Sequence, residues 1–554
     1  MVKYPTVQKI SADMPDTSLA QAKKKLESLR KIIMRSTEFA EEIARIIVQL
    51  RQVAAPVGEP FIFTTVLAEN KELLQVAFSD CNDIEFRTFN AGGKKALLVY
   101  LEGMSNIKNM ENNIIKALMR QTSLVNKEDN TQGPATMQTI CEFIVSSAAV
   151  TVLDKVSVAI EEIMIGSALL LIDGMGEGLS IGATEFVRRN ISEANNEHAL
   201  IGPNEAFNEV LKDNIVLIRR RAHDVDMKVH IIKIGKRSKT SLGLLYVDNL
   251  VKPGLVEEVE RRLAMINTDK VLGMGVIEEF LIEHPWSPFP QTQVTERPDK
   301  MLAALYEGRV AIILDGAPVA SIMPCTYNTL MQSADDYNIQ PIVASFIRLI
   351  RGLMAFIAVY LPALYVAIVS YHPGMLPTTM AISIAELRAR NPFPSFMEAV
   401  MMEILLEVFQ EAVVRLPKKL SGAASMIGAV IIGTTIVQAG IINPVLVVVV
   451  ATTALASYSI PEYNFSMALR WLRIPILILS SILGLYGVIL GVLAVTIHLC
   501  SLRSFGESYL GGMCNVDLFS DWKDSVVRFP AKLLTKRAKE FGAQDQTRVG
   551  GNND

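Results

Sequence analysis

Cysteine is scarce and scattered in this 554-residue chain: Cys81, Cys141, Cys325, Cys500 and Cys514, with no CxxC and no paired spacing. That excludes a disulfide framework and a thiolate zinc site, and suits a reduced, cytosolic setting. The histidines (His198, His223, His230, His284, His372, His498) lack metal-ligand spacing, and His498, on an apolar segment, reads as a packing residue. No GxxxxGK[ST] occurs, which removes a P-loop nucleotide site. No Ser, Cys or Thr stands in a nucleophile signature. A net charge of −3 without a basic stripe gives nucleic acid no electrostatic handle. The start, MVKYPTVQKISADMPDTSL, has no apolar h-region, so targeting is expected from internal apolar segments. Two short motifs imitate chemistry. IDGMGEG (172–178) follows GxGxG spacing with no helix after it, which predicts a hairpin turn. ERPDK (296–300) reads as a solvated turn opening a helix. The sequence therefore predicts no enzyme, no cofactor and no metal.

Charge is the next scarcity, and it is local. Between Gly352 and Cys500 stand only 13 Asp, Glu, Lys or Arg, whereas about a quarter of the remaining residues are charged. A helix needs about 20 apolar residues to cross a bilayer. The uncharged runs predict one span between Arg351 and Glu386, containing Pro362. The run from Lys419 to Glu462, divided at Asn443-Pro444, predicts two, at about 420–441 and 444–460. One further span is expected between Arg473 and Arg503. A fifth candidate, 395–414, carries Glu398, Glu403, Glu407 and Glu411. The last three recur at i, i+4 and i+8, one stripe of a helix. That stripe leaves two readings open. The helix lies at the interface, its acids in water or paired with Arg388, Arg390 and Arg415, or it spans with its acids lining water or a bundle interior. Positive-residue counting favours five spans, with Arg348, Arg351, Arg415, Lys418, Lys419, Arg470 and Arg473 all on the soluble side. The basic tail (Lys532, Lys536, Arg537, Lys539) then falls on the opposite side, a conflict.

The charged half holds an internal repeat. FNAGGKKALLVYLEGMSN (89–106) matches IGKRSKTSLGLLYVDNLV (234–251), with Tyr100 over Tyr246 and Glu102 over Asp248 when the turn is shifted by one residue. LDKVSVAIEEIMIGSALLLIDG (153–174) matches PDKMLAALYEGRVAIILDG (298–316) if a three-residue gap aligns their Asp-Lys pairs. Each unit reads strand, helix, strand, an α/β layer with a buried sheet. Between them GPNEAFNEVLKDNIVLIRRRA (202–222) predicts a connecting helix, with Pro203 in its first turn and Phe207, Val210, Leu211, Ile215 and Ile218 on its apolar face. Residues 18–56 predict another amphipathic helix. The expected organisation is an N-terminal helical segment (1–57), α/β subdomains at 58–184 and 185–335, an all-α membrane domain of about five helices (342–503) and a polar tail (504–554).

Ordered segments across roughly 80–510 resemble the A subunits of GerA-type spore germination receptors. They are GPNEAFNEVLKDNIVLIRRR (202–221), SPFPQTQVTERPDK (287–300), GRVAIILDGAP (308–318), YLPALYVAIVSYHPGMLPT (360–378), NPFPSFMEAVMMEILLEVFQEAVVRLP (391–417), SIPEYNFSMALRWLR (459–473) and HLCSLRSFGESYL (498–510). The motif positions are Pro203, Glu205, Arg297, Pro298, Asp299, Asp315, Gly316, Pro362 and Pro461. VASIMPCT (319–326) departs from the pattern. The resemblance implies a multi-pass protein of the spore inner membrane, its N-terminal domain cytoplasmic, acting with B and C subunits. A partner would hold the nutrient, and this chain would be a homo-oligomer in membrane lipid forming an ion channel. Glu398, Glu403, Glu407 and Glu411 are then candidate pore-lining residues, since carboxylate rings concentrate cations. The competing expectation is a scaffold or signal-relay subunit without a pore.

Overall fold

The computed structural model describes residues 61–91, 93–105, 110–120, 150–182, 197, 201–389, 391–416, 422, 428, 434–511 and 523–548. The expected helix at 18–56, Arg390, and most of the expected span at 420–441 with Lys418 and Lys419 lie outside these residues.

The charged half is two antiparallel five-stranded sheets of the same topology. The first holds β1 (Ile84–Ala91), β2 (Lys94–Leu101), β3 (Val150–Leu153), β4 (Ala168–Ile172) and β5 (Gly178–Ile181), ordered β1-β2-β4-β5-β3. The second holds β6 (Met227–Ile234), β7 (Thr240–Val247), β8 (Gln293–Thr295), β9 (Val310–Leu314) and β10 (Ala320–Met323), ordered β6-β7-β9-β10-β8. The 172–178 segment is the hairpin turn between β4 and β5, with Leu171 opposite Gly178.

Helices cover both faces of the second sheet. Along β7, Leu242, Leu244 and Tyr246 pack with Leu255, Val259 and Leu263 of α4 (Leu255–Ala264). Leu245 and Val247 face the other way, onto Leu211, Ile215 and Ile218 of α3 (Leu211–Arg219) and Met301, Ala304 and Leu305 of α5 (Pro298–Leu305). Strands sandwiched in this way bury both sets of alternating side chains, hence their unbroken apolar runs. In the first unit α1 (Leu67–Ala77) and α2 (Val156–Ile165) occupy the places of α3 and α5.

The repeat is more regular than its sequence suggests. β3, α2, β4 and β5 superimpose in order on β8, α5, β9 and β10 at a constant offset, Lys155 over Arg297 and Asp173 over Asp315, without a gap. The gapped Asp-Lys match was an accident three residues out of register. The same holds for the hydrogen bonds. Asp173 accepts from Leu67 N at 3.2 Å, and Asp315 accepts from Leu211 N at 3.1 Å. Asn70 ties its amide to Thr64 N and O, and Asn214 does so to Asn208 N and O. Gly174 N donates to Thr65 O and Gly316 N to Glu209 O. The Asp-Gly ending each unit is therefore a remote cap for the unit's first helix, satisfying an N–H that its own turn leaves unpaired. This corrects the connecting helix, which begins at Leu211. Pro203 lies in the preceding loop and Val210 is at the surface.

The charge-poor half is a helical bundle. Its members are α6 (Pro341–Tyr371), α7 (Ser395–Arg415), α8 (Pro444–Tyr458), α9 (Tyr463–Leu483) and α10 (Leu485–Ser501). Among the described residues α6 and α9 are long and apolar enough to cross a membrane, while α8 and α10 are apolar but shorter. The single span expected between Arg473 and Arg503 is instead two helices meeting at Gly484, which has φ 61. A Cβ on Gly487 would sit 2.2 Å from Leu479 O, and one on Gly491 would sit 3.2 Å from Ile476. Glycine thus lets α10 fold back along α9. The chain leaves α10 beside the second α/β unit, and tail residues pack there: Tyr509 O–H donates to Pro290 O at 2.9 Å, and Arg537 Nε to Tyr306 O at 2.9 Å. The tail thus packs on the α/β domain, at the same end of the bundle and not at the opposite one.

Candidate functional site

Pro362 lies inside α6. A helix-interior proline has no N–H, so the carbonyl four residues earlier loses its donor. That carbonyl belongs to Ala358, and Arg473 of α9 supplies the missing hydrogen bond, Nε to O at 2.7 Å. Arg473 is almost fully buried and places another nitrogen 2.7 Å from Glu403 Oε2 on α7, also buried. One guanidinium therefore joins three helices around a proline-vacated carbonyl. Glu403 Oε1 and Arg473 Nη2 have no partner among the described residues. Within an apolar bundle, a charge pair of this kind faces the interior.

The other acids of α7 diverge from it. Glu398, near the start of the helix, accepts from Asn443 N at 3.2 Å and from the Asn391 amide at 3.0 Å, and is buried. It stands at the N-terminus of α8, where a carboxylate complements the helix dipole, and Asn443 caps Val445 N at 2.9 Å. Glu407 lies 3.5 Å from Arg470 and is 41% exposed. Arg470 also donates to Gln410. Glu411 is 60% exposed and pairs with Arg415 one turn on, at 2.5 Å. The i, i+4, i+8 stripe is real, but its 40° drift per step carries it from bundle interior to surface. Its arginine partners are Arg473, Arg470 and Arg415. Arg388 instead donates to Val369 O.

A second electrostatic cluster joins the bundle to the α/β domain. Lys300 Nζ lies 2.6 Å from Glu197 and 3.6 Å from Glu462, the residue that opens α9. Glu462 and Lys300 are largely buried. Burial pushes the Glu462 carboxyl up to about 7, against the pull of Lys300 and with repulsion from Glu197 adding to it. For Glu197, burial acts upward too, but Lys300 and bonds from Thr295 and Glu296 N outweigh it and leave the group below its usual range. Arg297 is buried, pairing with Asp299 at 2.7 Å and approaching Asp335 at 3.9 Å. ERPDK is thus not a solvated turn. Its helix start is as expected, with Pro298 in the first turn, but Glu197 and Glu462 arrive from distant sequence and enclose it. Pro461 precedes Glu462 in the turn between α8 and α9.

At the base of α6, Arg348 and Arg351 converge on Asp336 at 3.1 and 2.9 Å. Burial raises the Asp336 carboxyl, but the two guanidinium groups prevail and hold it below its ordinary value. Tyr337 lies between the guanidinium groups of Arg348 and tail residue Arg528, each 5.3 Å from its ring centroid. Glu205, another motif position, pairs with Arg221 at 2.6 Å and is local to the second unit. Sequence reasoning did not find Glu462, Glu197 or Asp336 as partners. A lone acid closing a long uncharged run is the one signal that could have found Glu462.

A model of the family described as Bacillus/Clostridium GerA spore germination protein matches residues 72–540. The chain is 38% identical over 473 residues to the uncharacterized membrane protein YfkQ of Bacillus subtilis (strain 168), spanning 85% of this chain and 90% of that one. To spore germination protein B1 of the same organism it is 35% identical, over 87% of this chain and 98% of the other. The crystallised N-terminal domain of the A subunit of the Bacillus megaterium spore germinant receptor GerK3 is 26% identical, with a TM-score of 0.39, covering 49% of this chain and 98% of that domain.

Proposed function

Because the chain belongs to the GerA family of spore germination proteins, we propose that it is the multi-pass A-type subunit of a nutrient-responsive germination receptor in the spore inner membrane. In this reading its α/β domain is cytoplasmic and it works as a homo-oligomer with B- and C-type partner subunits. A partner senses the nutrient, and the bundle of this chain opens a path for cations. The observation that carries the reading is the acidic helix α7, held among apolar helices by Glu403 and Arg473. Glu398 and Glu403 keep α7 in place. Glu407 and Glu411, toward the α/β side and accessible, would line the mouth of the path, where carboxylates raise local cation concentration.

The second reading, a scaffold or relay subunit that does not conduct, draws support from the arginine beside each of Glu403, Glu407 and Glu411. Potassium flux through liposomes holding the purified full-length chain separates the two. Conduction that falls about tenfold in a Glu407→Gln/Glu411→Gln double variant with unchanged oligomer size is the expected result. No flux from the assembled chain, alone or with its partner subunits, would leave the scaffold reading.

A further inference from the structure

Trp286 is 99% exposed, an extreme value for the residue with the largest apolar surface. Its loop, His284-Pro285-Trp286-Ser287-Pro288, is nonetheless firmly built. Ser287 N donates to His284 O at 3.1 Å. The Gln291 amide accepts from Glu283 N and His284 N, both at 3.0 Å, and donates to His284 O at 2.8 Å. Phe289 N donates to Ser287 Oγ at 3.2 Å, while its ring packs against Phe465, His498 and Tyr509. Two prolines flank the tryptophan and restrict the backbone further. The backbone that carries the indole is therefore held in place, and the indole itself stands clear of its own domain.

The same loop fixes the height of the indole relative to the bundle. Ser287 Oγ lies 2.9 Å from His498 Nε2 on α10. His498 is about one turn, roughly 4.5 Å of rise, from the end of that helix at Ser501. On the same side Tyr458 ends α8 and Tyr463 begins α9, and both rings are exposed. Tryptophan and tyrosine collect where hydrocarbon meets headgroups, because the ring is apolar and its N–H or O–H wants a polar partner.

We propose that Trp286 is a membrane-interface anchor: a rigid loop of the α/β domain inserts its indole among the lipid headgroups beside α10. The partner is the bilayer itself, and with Tyr458 and Tyr463 the tryptophan forms one interfacial belt. The inference rests on reading the bundle as membrane-spanning. The anchor would fix the second α/β unit against the bilayer, so that a tilt of that unit moves α9 and α10 with it.

Full-length single-tryptophan variants test this in phosphatidylcholine vesicles carrying lipids spin-labelled near the headgroup or near the bilayer centre. Trp286 is retained in Trp471→Phe/Trp522→Phe, and Trp471, exposed on α9, is retained in Trp286→Phe/Trp522→Phe. Trp286 emission is expected to be quenched about twofold more by the shallow label than by the deep one. If Trp471 is quenched and Trp286 is not, the anchor is wrong while the spanning bundle stands. If neither is quenched, the spanning reading fails and the anchor with it. A Trp286→Ser variant with a smaller oligomer, together with an unquenched Trp286, would assign the indole to a neighbouring copy and also overturn the proposal.

Discussion

At the start of α2 the first unit reads Asp154-Lys155-Val156-Ser157-Val158, and the second unit reads Glu296-Arg297-Pro298-Asp299-Lys300 in the same places. The backbone bond that closes each motif is the same, Phe63 N to Asp154 O in one and Phe207 N to Glu296 O in the other. The side chains part company. Val158 is exposed, while Lys300 is enclosed between Glu197 and Glu462. The second unit also receives α6, α10 and the tail. The first is tied to the second through the buried Arg219–Asp83 pair at 2.7 Å and through Lys212–Glu102 at 2.6 Å. A duplicated skeleton has thus kept its caps and cores in both copies, and charged docking residues appear in the copy that meets the bundle.

The strongest way to break this comparison is to remove the docking charge. Lys300→Ala leaves two carboxylates facing each other in a buried site and should cost about 3 kcal/mol. Val158→Ala, at the matching exposed position, should cost no more than about 0.5 kcal/mol. Thermal unfolding of the detergent-solubilised full chain measures both, and equal losses would mean that the second unit is not specialised.

A smaller effect is expected from pH. Glu462 is pushed up to about 7 from an ordinary 4.5, so the folded chain binds an extra proton between those values. Its contribution to stability is fully present below about 4.5 and is lost as pH rises through about 7. The wild type should therefore lose on the order of 2 kcal/mol relative to Glu462→Gln between pH 5 and 8. Glu197, held low, works in the opposite direction and at more acidic pH. Parallel pH profiles for the two proteins would contradict the placement of Glu462.

The smallest effect sharpens the likeness of the two units. Asp173→Ala and Asp315→Ala each remove a remote helix cap and should each cost about 1 kcal/mol. Hydrogen exchange at Leu67 N and Leu211 N reports the two losses separately. A cost confined to one unit would show that the Asp-Gly ends are not equivalent.

The repeat, the charge-poor half, the acidic helix and the family motifs were all legible in the sequence, because periodicity and composition are local properties of the chain. Asn443-Pro444 marked the start of α8 for the same reason: a capping side chain followed by a proline in the first turn is a local signal. The reversal at Gly484 was not legible. Its surrounding run is uncharged throughout, with no proline at the reversal, and the close approach of Gly487 and Gly491 to α9 exists only after the two helices meet.

What the sequence determined by itself was which residues prefer water, which prefer hydrocarbon or core, and which helix and strand periods they follow. Only the tertiary structure decided the pairing of charges: Arg473 with Glu403 across 70 residues, Lys300 with Glu462 across 162, and Arg351 with Asp336 beneath the first long helix. The reason is physical. Apolar burial is non-directional and survives averaging along a segment, whereas a buried ion pair is stable only at one geometry, fixed by elements that the rest of the fold brings together.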